Sequence, residues 1–149
     1  MTDVAFDPAA HGWSPSREQR FPAPLVTLWH RQASGLPSIG ILCTAAHGNG
    51  NGAMHGGLLA TLADIGLGRA VGMHRNAHLK EGEPRIVSAT IQLDISYCGR
   101  VEIGEFVCST ARIERTTRSL TFASGELRCG EQTVAMMQGI FKIIRRAAG

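Results

Sequence analysis

The sequence predicts an α+β domain in which one long helix precedes most of an antiparallel sheet. Apolar residues follow helical spacing from His55 to about Arg75 and alternate with a period of two from Ile86 onward. Turn residues then separate further short alternating runs, as expected for consecutive strands. A chain of 149 residues, 44% of them hydrophobic, can bury one core without disulfide or metal staples. We therefore expect one sheet wrapped around one helix.

The N-terminal quarter of the chain, residues 1–37, holds five of the six prolines. Proline fixes φ and removes a backbone donor, so this segment is predicted to be mostly irregular. Within it, Leu25–Gln32 shows the i, i+3, i+4, i+7 spacing of a short helix. The domain itself is predicted over residues 38–149, and it begins with a strand at Ser38–His47.

A glycine-rich loop and a glycine-rich helix follow this first strand. His47–Gly52 alternates glycine with asparagine and is too flexible for a helix or a strand. The helix predicted from His55 to about Arg75 carries Gly66, Gly68 and Gly72, each costing about 1 kcal/mol relative to alanine. Such a helix is usually wrapped closely by other backbone, which favours a position in the middle of the domain.

The longest predicted strand is Ile86–Tyr97, in which apolar residues alternate with polar ones. This alternation groups Thr90 with the polar residues, on the face opposite the apolar side chains. Three further strands complete the sheet, with a hairpin turn before the second of them; they are Glu105–Arg115, Ser119–Arg128 and Thr133–Ile144.

Composition excludes several classes of function. The net charge of +3 is small, the basic residues are scattered and aromatic residues are only 5% of the chain, which argues against a nucleic-acid partner. A mildly basic chain suits an anionic small ligand. The sequence has no apolar run of the roughly 18–20 residues that a membrane span needs and no secretory leader, so we expect a cytoplasmic protein without membrane contact.

The cysteines and histidines do not form metal-binding patterns. The four cysteines contain no CxxC pair and are predicted to be reduced, buried small hydrophobes. His74 and His78 share a helical spacing but lack a third ligand nearby, which favours a structural or solvated pair. We expect neither a metal nor another cofactor.

Two features near the predicted helix carry candidate chemistry. His55-Gly56-Gly57 lies at the helix start, where unpaired N–H groups can bind an oxygen that gains negative charge. The tripeptide alone is also typical of an ordinary loop-to-helix junction. Asp64 has apolar neighbours, so it either reaches solvent between the helix faces or lines a cleft as a base or nucleophile. Helical spacing does not separate these two alternatives for Asp64.

The combination of these residues resembles a known family. The stretch NGNGAMHGGLLATLADIGLGRAV, followed by TIQLDISY and QGIFKII, resembles hotdog-fold thioesterases of the phenylacetate-degradation type, which act on acyl-coenzyme A. The resemblance covers residues 38–144. It implies a sheet curled around a central helix, homodimers with a continuous sheet, and active sites at the dimer interface. Whether dimers pair further into tetramers stays open.

The resemblance also implies roles for individual residues. Asp64 matches the catalytic carboxylate, and Asn49 matches the residue that holds the attacking water or the carboxylate. His55 and the Gly56 amide match the groups that engage the thioester carbonyl. Thr90 matches a hydroxyl contributed to the partner's site. Substrate-binding positions are implied at Gly57, Tyr97, Arg118, Ser119 and Leu120, of which the turn residues would contact coenzyme A.

Two positions depart from the family pattern. Gly68 stands one turn after Asp64, where the family often has serine or threonine, so a water there must be held by Thr90 or Asn49. Arg100 stands where the family often has proline, which puts the local loop path and its coenzyme contacts in question.

The leading hypothesis is therefore an acyl-coenzyme A thioesterase. Two alternatives share the fold: a hydratase or dehydratase acting on acyl thioesters, and a module that binds acyl-coenzyme A without catalysis. The sequence does not decide the acyl group, or whether Asp64 acts as a nucleophile or as a general base.

Overall fold

The computed structural model describes residues 6–15, 25–32 and 35–145. Within these ranges one α-helix packs against one seven-stranded antiparallel sheet. The elements are β1 (Ser14–Pro15), β2 (Trp29–Arg31), β3 (Ser38–Leu42), α1 (Gly56–Asn76), β4 (Ile86–Tyr97), β5 (Phe106–Thr116), β6 (Leu120–Cys129) and β7 (Gln132–Arg145). Short 3₁₀ turns occur at Ala9–His11 and Ala45–His47.

The strands follow the order β1-β2-β3-β5-β6-β7-β4, so the strand that comes directly after the helix lies at one edge. β4 pairs with β7 along its whole length, from Ile86 opposite Arg145 to Tyr97 opposite Ala135. Its other edge has no strand neighbour within the described part of the chain. A twelve-residue unpaired edge is long for a globular protein, because its free N–H and C=O groups invite another strand.

The core lies between α1 and the concave face of the sheet. Leu62, Leu67 and Val71 from the helix are fully buried, as are Val107 and Phe141 from the sheet. This arrangement confirms the predicted fold, in which one antiparallel sheet wraps around a long helix. Within the described residues, no helix is long and apolar enough to span a membrane.

Only one of the three helix glycines named above is wrapped as closely as predicted. A Cβ at Gly66 would lie 2.6 Å from the side chain of Ser109, which in turn accepts a hydrogen bond from the Ile39 amide. A Cβ at Gly68 would make an ordinary 3.6 Å contact with Phe141, and one at Gly72 would meet nothing within 4 Å. Close approach therefore explains Gly66 alone.

The short helix predicted at Leu25–Gln32 is wrong. Trp29–Arg31 forms β2 and pairs with β3, with Trp29 opposite Gly40. Val26 and Leu28 are each 2% exposed whereas Leu25 is 64% exposed. Burial thus alternates with a period of two, and the helical spacing was a coincidence over eight residues.

The other predicted elements are found with small shifts at their ends. The helix and the long strand β4 agree with the predicted ranges, and β5, β6 and β7 begin and end within a residue of them. The strand predicted at Ser38–His47 corresponds to β3 and is shorter than predicted. It ends at Leu42, and a 3₁₀ turn follows.

All four cysteines are free, but they are not uniformly buried. Cys43 is buried and Cys108 and Cys129 are half-buried, whereas Cys98 is exposed, so the prediction is wrong for Cys98. Burial raises the pKa of Cys129 to about 11, with a smaller contribution from Glu105. Burial also raises the pKa of Cys43 and of Cys108. These three thiols stay protonated near neutral pH.

Candidate active site

The start of α1 is organised by His55, which is its N-cap residue. The His55 Nδ1 accepts a hydrogen bond of 3.1 Å from the Gly57 N–H. A ring nitrogen that accepts in this way carries no proton, so the neutral ring holds its proton on Nε2. Because the residue is exposed, His55 presents an Nε2–H donor toward solvent.

The Gly56 amide is a second donor at this helix end. The carbonyl of His55 is occupied by the amides of Leu58 and Leu59, at 2.9 and 3.3 Å, and the Gly57 amide is used by the His55 ring. The Gly56 N–H has no acceptor in the described parts of the chain. The helix start therefore offers two donors to an external oxygen, the Gly56 amide and the His55 ring.

Tyr97 ties the end of β4 to the same helix start. Its hydroxyl donates to the Gly56 carbonyl at 2.9 Å, and its ring would lie 3.7 Å from a Cβ at Gly56. Its hydroxyl hydrogen is therefore used within the chain. Tyr97 is still 51% exposed, which leaves part of its ring open to a substrate.

The asparagine loop before α1 is fixed by its own side chain. Asn49 Oδ1 accepts from the amides of Asn51 at 2.8 Å and Ala53 at 3.4 Å. Its Nδ2 has no partner among the residues that the structure describes, so the amide hydrogens remain available. Arg100 donates to the Asn51 carbonyl at 3.0 Å and pairs with Glu102 at 3.0 Å. The arginine at this position therefore ties the loop after β4 to the Asn49 loop.

His47 fixes the start of this loop and was not among the predicted site residues. Its Nδ1 accepts from the Thr44 amide at 3.0 Å, so its Nε2 carries the proton and donates to the Leu25 carbonyl at 2.8 Å. The His47 carbonyl accepts from the His55 amide at 2.9 Å. His47 is 6% exposed, and its partners lie up to 22 residues away, which no local pattern indicates.

A β-bulge in β4 determines where Thr90 points. Thr90 pairs with Phe141 and Gln92 pairs with Ile140, so Ile91 has no cross-strand partner of its own. The extra residue reverses the alternation of the strand. Thr90 therefore lies on the helix-facing side, beside buried Phe141, and the prediction from strict alternation that it lies opposite the apolar face is wrong.

Asp64 and Thr90 meet as a direct result of the bulge. The Thr90 hydroxyl donates to Asp64 Oδ1 at 2.7 Å, and both side chains belong to the same chain. Asp64 is half-buried, and its Oδ2 has no hydrogen-bond partner in the described residues. Of the two alternatives left open for Asp64, the structure favours a carboxylate that is held in orientation with one oxygen available.

The two parts of the site are well separated within one chain. Asp64 lies eight residues beyond Gly56 on α1, which is about 12 Å along the helix axis. A single carbonyl group cannot contact the Gly56 donor and the Asp64–Thr90 pair at that distance. One chain therefore brings together Asp64 with Thr90, and His55 with Gly56 and Gly57, but does not join these two groups.

The predicted coenzyme-binding turn lies at the β5–β6 hairpin. Arg118 and Ser119 are exposed, and Leu120 is half-buried with its amide and carbonyl engaged inside the turn. The side chain of Arg118 has no partner within the described ranges. Among the described residues, no group of three or more histidine, cysteine, aspartate or glutamate side chains is arranged to hold a metal.

Comparison with known proteins identifies the family that this chain resembles. A family model described as the thioesterase superfamily matches residues 51–136, more than half of the chain. A protein of Pseudomonas aeruginosa described as a "putative esterase" is 36% identical over 97 residues, which are 65% of this chain and 67% of that protein.

Solved structures show the same fold. A conserved protein from Pseudomonas aeruginosa has a TM-score of 0.72 at 30% identity, covering 87% of this chain and 100% of that one. The PaaI protein of the Escherichia coli phenylacetic acid degradation operon has a TM-score of 0.66 at 18% identity, with 80% and 79% of the two chains covered. At that identity the second likeness shows the fold alone.

Proposed function

Because the chain belongs to the thioesterase superfamily, we propose that it hydrolyses an acyl-coenzyme A thioester to a carboxylic acid and free coenzyme A. The family match confirms the predicted enzyme class, a thioester hydrolase. The observation that carries the choice of site is the Asp64–Thr90 hydrogen bond, on a helix whose first amide has no acceptor among the described residues. A held carboxylate and a preformed oxygen-binding group are the two parts that acyl transfer to water needs.

The helix start serves the carbonyl oxygen of the substrate. As the carbonyl carbon becomes tetrahedral, its oxygen gains negative charge, and the Gly56 N–H and His55 Nε2–H donate to it. Each such donor is worth about 2.7–4 kcal/mol in comparable sites. Both donors are held by contacts within the chain, at Tyr97 and at Gly57, so little reorganisation accompanies the reaction.

Asp64 serves the carbonyl carbon. As a general base it takes a proton from a water held by the Asn49 amide, the water oxygen bonds to the carbonyl carbon, and the carbon–sulfur bond breaks. As a nucleophile it forms an acyl anhydride first, which water then hydrolyses. In both routes Thr90 holds one carboxylate oxygen, and the thiolate leaves and takes up a proton.

Label found in the Asp64 carboxylate after a single turnover in ¹⁸O-labelled water identifies the nucleophilic route. A nucleophilic Asp64 acquires label in its own carboxylate when the anhydride is attacked at the aspartyl carbonyl, whereas general-base catalysis places label in the product acid alone. Mass spectrometry of the peptide that contains Asp64 reads the difference directly.

We propose that a homodimer completes the site. Asp64 and Gly56 of one chain lie about 12 Å apart along α1. In the dimer, Asp64 and Thr90 of one protomer face His55 and Gly56 of its partner, and the two groups form one site. The edge of β4 that no described strand pairs with provides a surface for the second copy, and exposed apolar side chains lie beside it, including Ile91 at 55% and Tyr97 at 51% exposure. Sedimentation at micromolar concentration should give at least a dimer, and a monomer would contradict the shared site.

Complementation tests the shared site itself. Asp64→Asn and Gly56→Pro chains are each expected to be nearly inactive as homodimers. After mixing and subunit exchange, a two-fold symmetric heterodimer carries one site with both changes and one with neither, so about a quarter of the parental activity returns. No recovery would mean that each site is built within one chain.

The substrate's phosphates are proposed to lie at the hairpin turn. Arg118 is exposed there with no partner in the described chain, and a guanidinium suits a phosphate through charge-assisted hydrogen bonds. Arg118→Ala should raise KM for acyl-coenzyme A more than it lowers kcat, since such a contact is equal in the ground and transition states. A cytoplasmic location, where coenzyme A thioesters occur, remains part of this proposal.

The experiment that tests the function is release of free coenzyme A, detected with a thiol reagent, from phenylacetyl, benzoyl, short-chain and long-chain thioesters. Release that falls in Asp64→Asn supports the proposal. A hydratase would convert an unsaturated thioester without releasing thiol, and a binding module would bind coenzyme A thioesters without turnover; either result would contradict it. The panel also identifies the acyl group.

A further inference from the structure

The β5–β6 turn is held in place by a residue of α1 that no sequence motif indicates. Arg75, in the last turn of α1, donates from Nη2 to the carbonyls of Thr117 at 2.8 Å and Leu120 at 2.6 Å. Its Nε donates to the Thr121 hydroxyl at 2.7 Å. The two carbonyls flank the turn on either side, so one guanidinium connects both ends of the turn to the helix.

The turn's own hydrogen bonds complete this arrangement. The Thr117 amide donates to the Leu120 carbonyl at 2.8 Å, and the Leu120 amide donates to the Thr117 hydroxyl at 3.0 Å. The Ser119 carbonyl accepts from the Ile143 amide at 2.9 Å. These backbone groups are used within the chain, whereas Arg118 and Ser119 are exposed to solvent.

Arg75 is unusual in having carbonyl and hydroxyl acceptors instead of a carboxylate. Its described hydrogen-bond partners are all neutral. Burial lowers the pKa of Arg75, but an arginine side chain still remains charged at neutral pH. A positive charge that pairs with no carboxylate among the described residues therefore lies directly behind the exposed turn. It would favour an anion docked on the outer side, in the same place where Arg118 is available.

We propose that Arg75 is a positioning residue that fixes the Arg118–Leu120 turn for the phosphate-bearing end of a coenzyme A thioester. This inference rests on the proposed function and adds to it a residue that acts through the turn. Its planar fork reaches three acceptors at once, which the single ammonium of a lysine cannot reproduce. The geometry of the guanidinium matters in addition to its charge.

The test is Arg75→Lys, which keeps the positive charge and removes the fork. We compare acyl-coenzyme A with the matching acyl-pantetheine thioester, which lacks the nucleotide. The ratio of kcat/KM between the full and truncated substrates should fall about tenfold, through KM for the full substrate. A purely structural role would change both substrates equally and leave this ratio unmoved, which would overturn the proposal.

His74→Ala is the matched control. His74 precedes Arg75 on α1 and also bonds to the hairpin, through a single exposed contact of 3.0 Å with Thr116 Oγ1. Its substrate ratio should match the parent. An equal fall in both variants would show that any disturbance of the hairpin has this effect, and would overturn the specific assignment to Arg75.

A double variant with Arg118→Ala gives a second, independent reading. If Arg75 acts by positioning Arg118, its loss has little further effect once Arg118 is gone, and the two effects on KM do not multiply. Multiplicative effects would overturn the proposal.

If Arg75→Lys fails to fold, Thr121→Val removes one of the same contacts and should lower the substrate ratio about two- to threefold. No change in that ratio would overturn the proposal.

Failure of the proposed function has a different signature. A parent protein that neither binds free coenzyme A in calorimetry nor releases it from thioesters contradicts the function itself. A parent that does both, with a substrate ratio unchanged in Arg75→Lys, contradicts the role of Arg75 alone.

Discussion

The two ends of α1 differ in how completely their polar groups are paired. At the N-terminus, the Gly56 amide and the His55 Nε2 have no partners in the described chain. At the C-terminus, Asn76 donates to the carbonyls of Gly72 and Ile86 and accepts from the Ile86 amide, at 2.6, 3.0 and 2.9 Å. Arg75 makes three further contacts there.

This difference indicates separate roles for the two ends of α1. Helix ends leave unpaired backbone groups unless something caps them, and a cap stabilises the fold. The side chains of Arg75 and Asn76 tie the C-terminal end to two neighbouring elements, the β5–β6 hairpin and the start of β4. The N-terminal end is held in place by Tyr97 but leaves its donors open. We infer that changes at the N-terminal half affect turnover, whereas changes at the C-terminal half affect stability or binding.

Asp64→Asn, at the end of the N-terminal half, should have the largest effect. Asparagine keeps the size and can still accept the Thr90 hydrogen bond at its Oδ1, so the fold and the melting temperature should be unchanged. Without a charged nucleophile or base, kcat should fall roughly 10²–10⁴-fold. Steady-state kinetics on the best thioester, beside a thermal melt, measures both. Turnover close to the parent would remove Asp64 from the mechanism.

Gly56→Pro should have the second largest effect, because it deletes one donor at the helix start. Proline is well tolerated at the first helical position, and His55 before it already has the extended conformation that proline requires, with φ −62° and ψ 132°. We expect kcat to fall about 10²–10³-fold with stability retained. Gly56→Ala is the control, since it keeps the N–H and its Cβ would lie 3.7 Å from Tyr97. Equal losses in both variants would indicate steric blocking instead of a lost donor.

The sequence predicts those parts of the molecule that a long periodicity or a motif encodes. The helix and β4 are predicted because their periodicities persist over many residues, and the resemblance names Asp64 and Thr90 as members of one family's site. The bulge at Ile91 is invisible to a period of two, although it is what turns Thr90 toward Asp64. His47 and Arg75 were missed because their partners lie 22 to 46 residues away, where only the folded chain brings them together.

Asn76→Ala, at the opposite end, should affect stability without affecting turnover. It leaves the amide and carbonyl of Ile86 without their side-chain partner, at a cost of about 1–3 kcal/mol of unfolding free energy. Urea denaturation should show a lower midpoint with the same slope, while kcat on the best thioester stays at the parental value. A fall in kcat that accompanies the lower midpoint would contradict the separate roles of the two ends of α1.

Gly72→Ala should have the smallest effect and the opposite sign. Gly72 lies in the C-terminal half of α1, and a Cβ there would meet nothing within 4 Å, so alanine gains helix propensity without a clash. We expect about 0.5–1 kcal/mol of added stability, because glycine loses more backbone entropy than alanine in a helix interior.

Gly66→Ala is the matched comparison on the same helix. There the new Cβ would lie 2.6 Å from Ser109, whose hydroxyl holds the Ile39 amide, so about 1–3 kcal/mol should be lost through overpacking. Urea denaturation of both variants measures the pair of values. Destabilisation by Gly72→Ala would mean that this part of the helix is covered in solution, and the second protomer of the proposed dimer would then be the first surface to map against it.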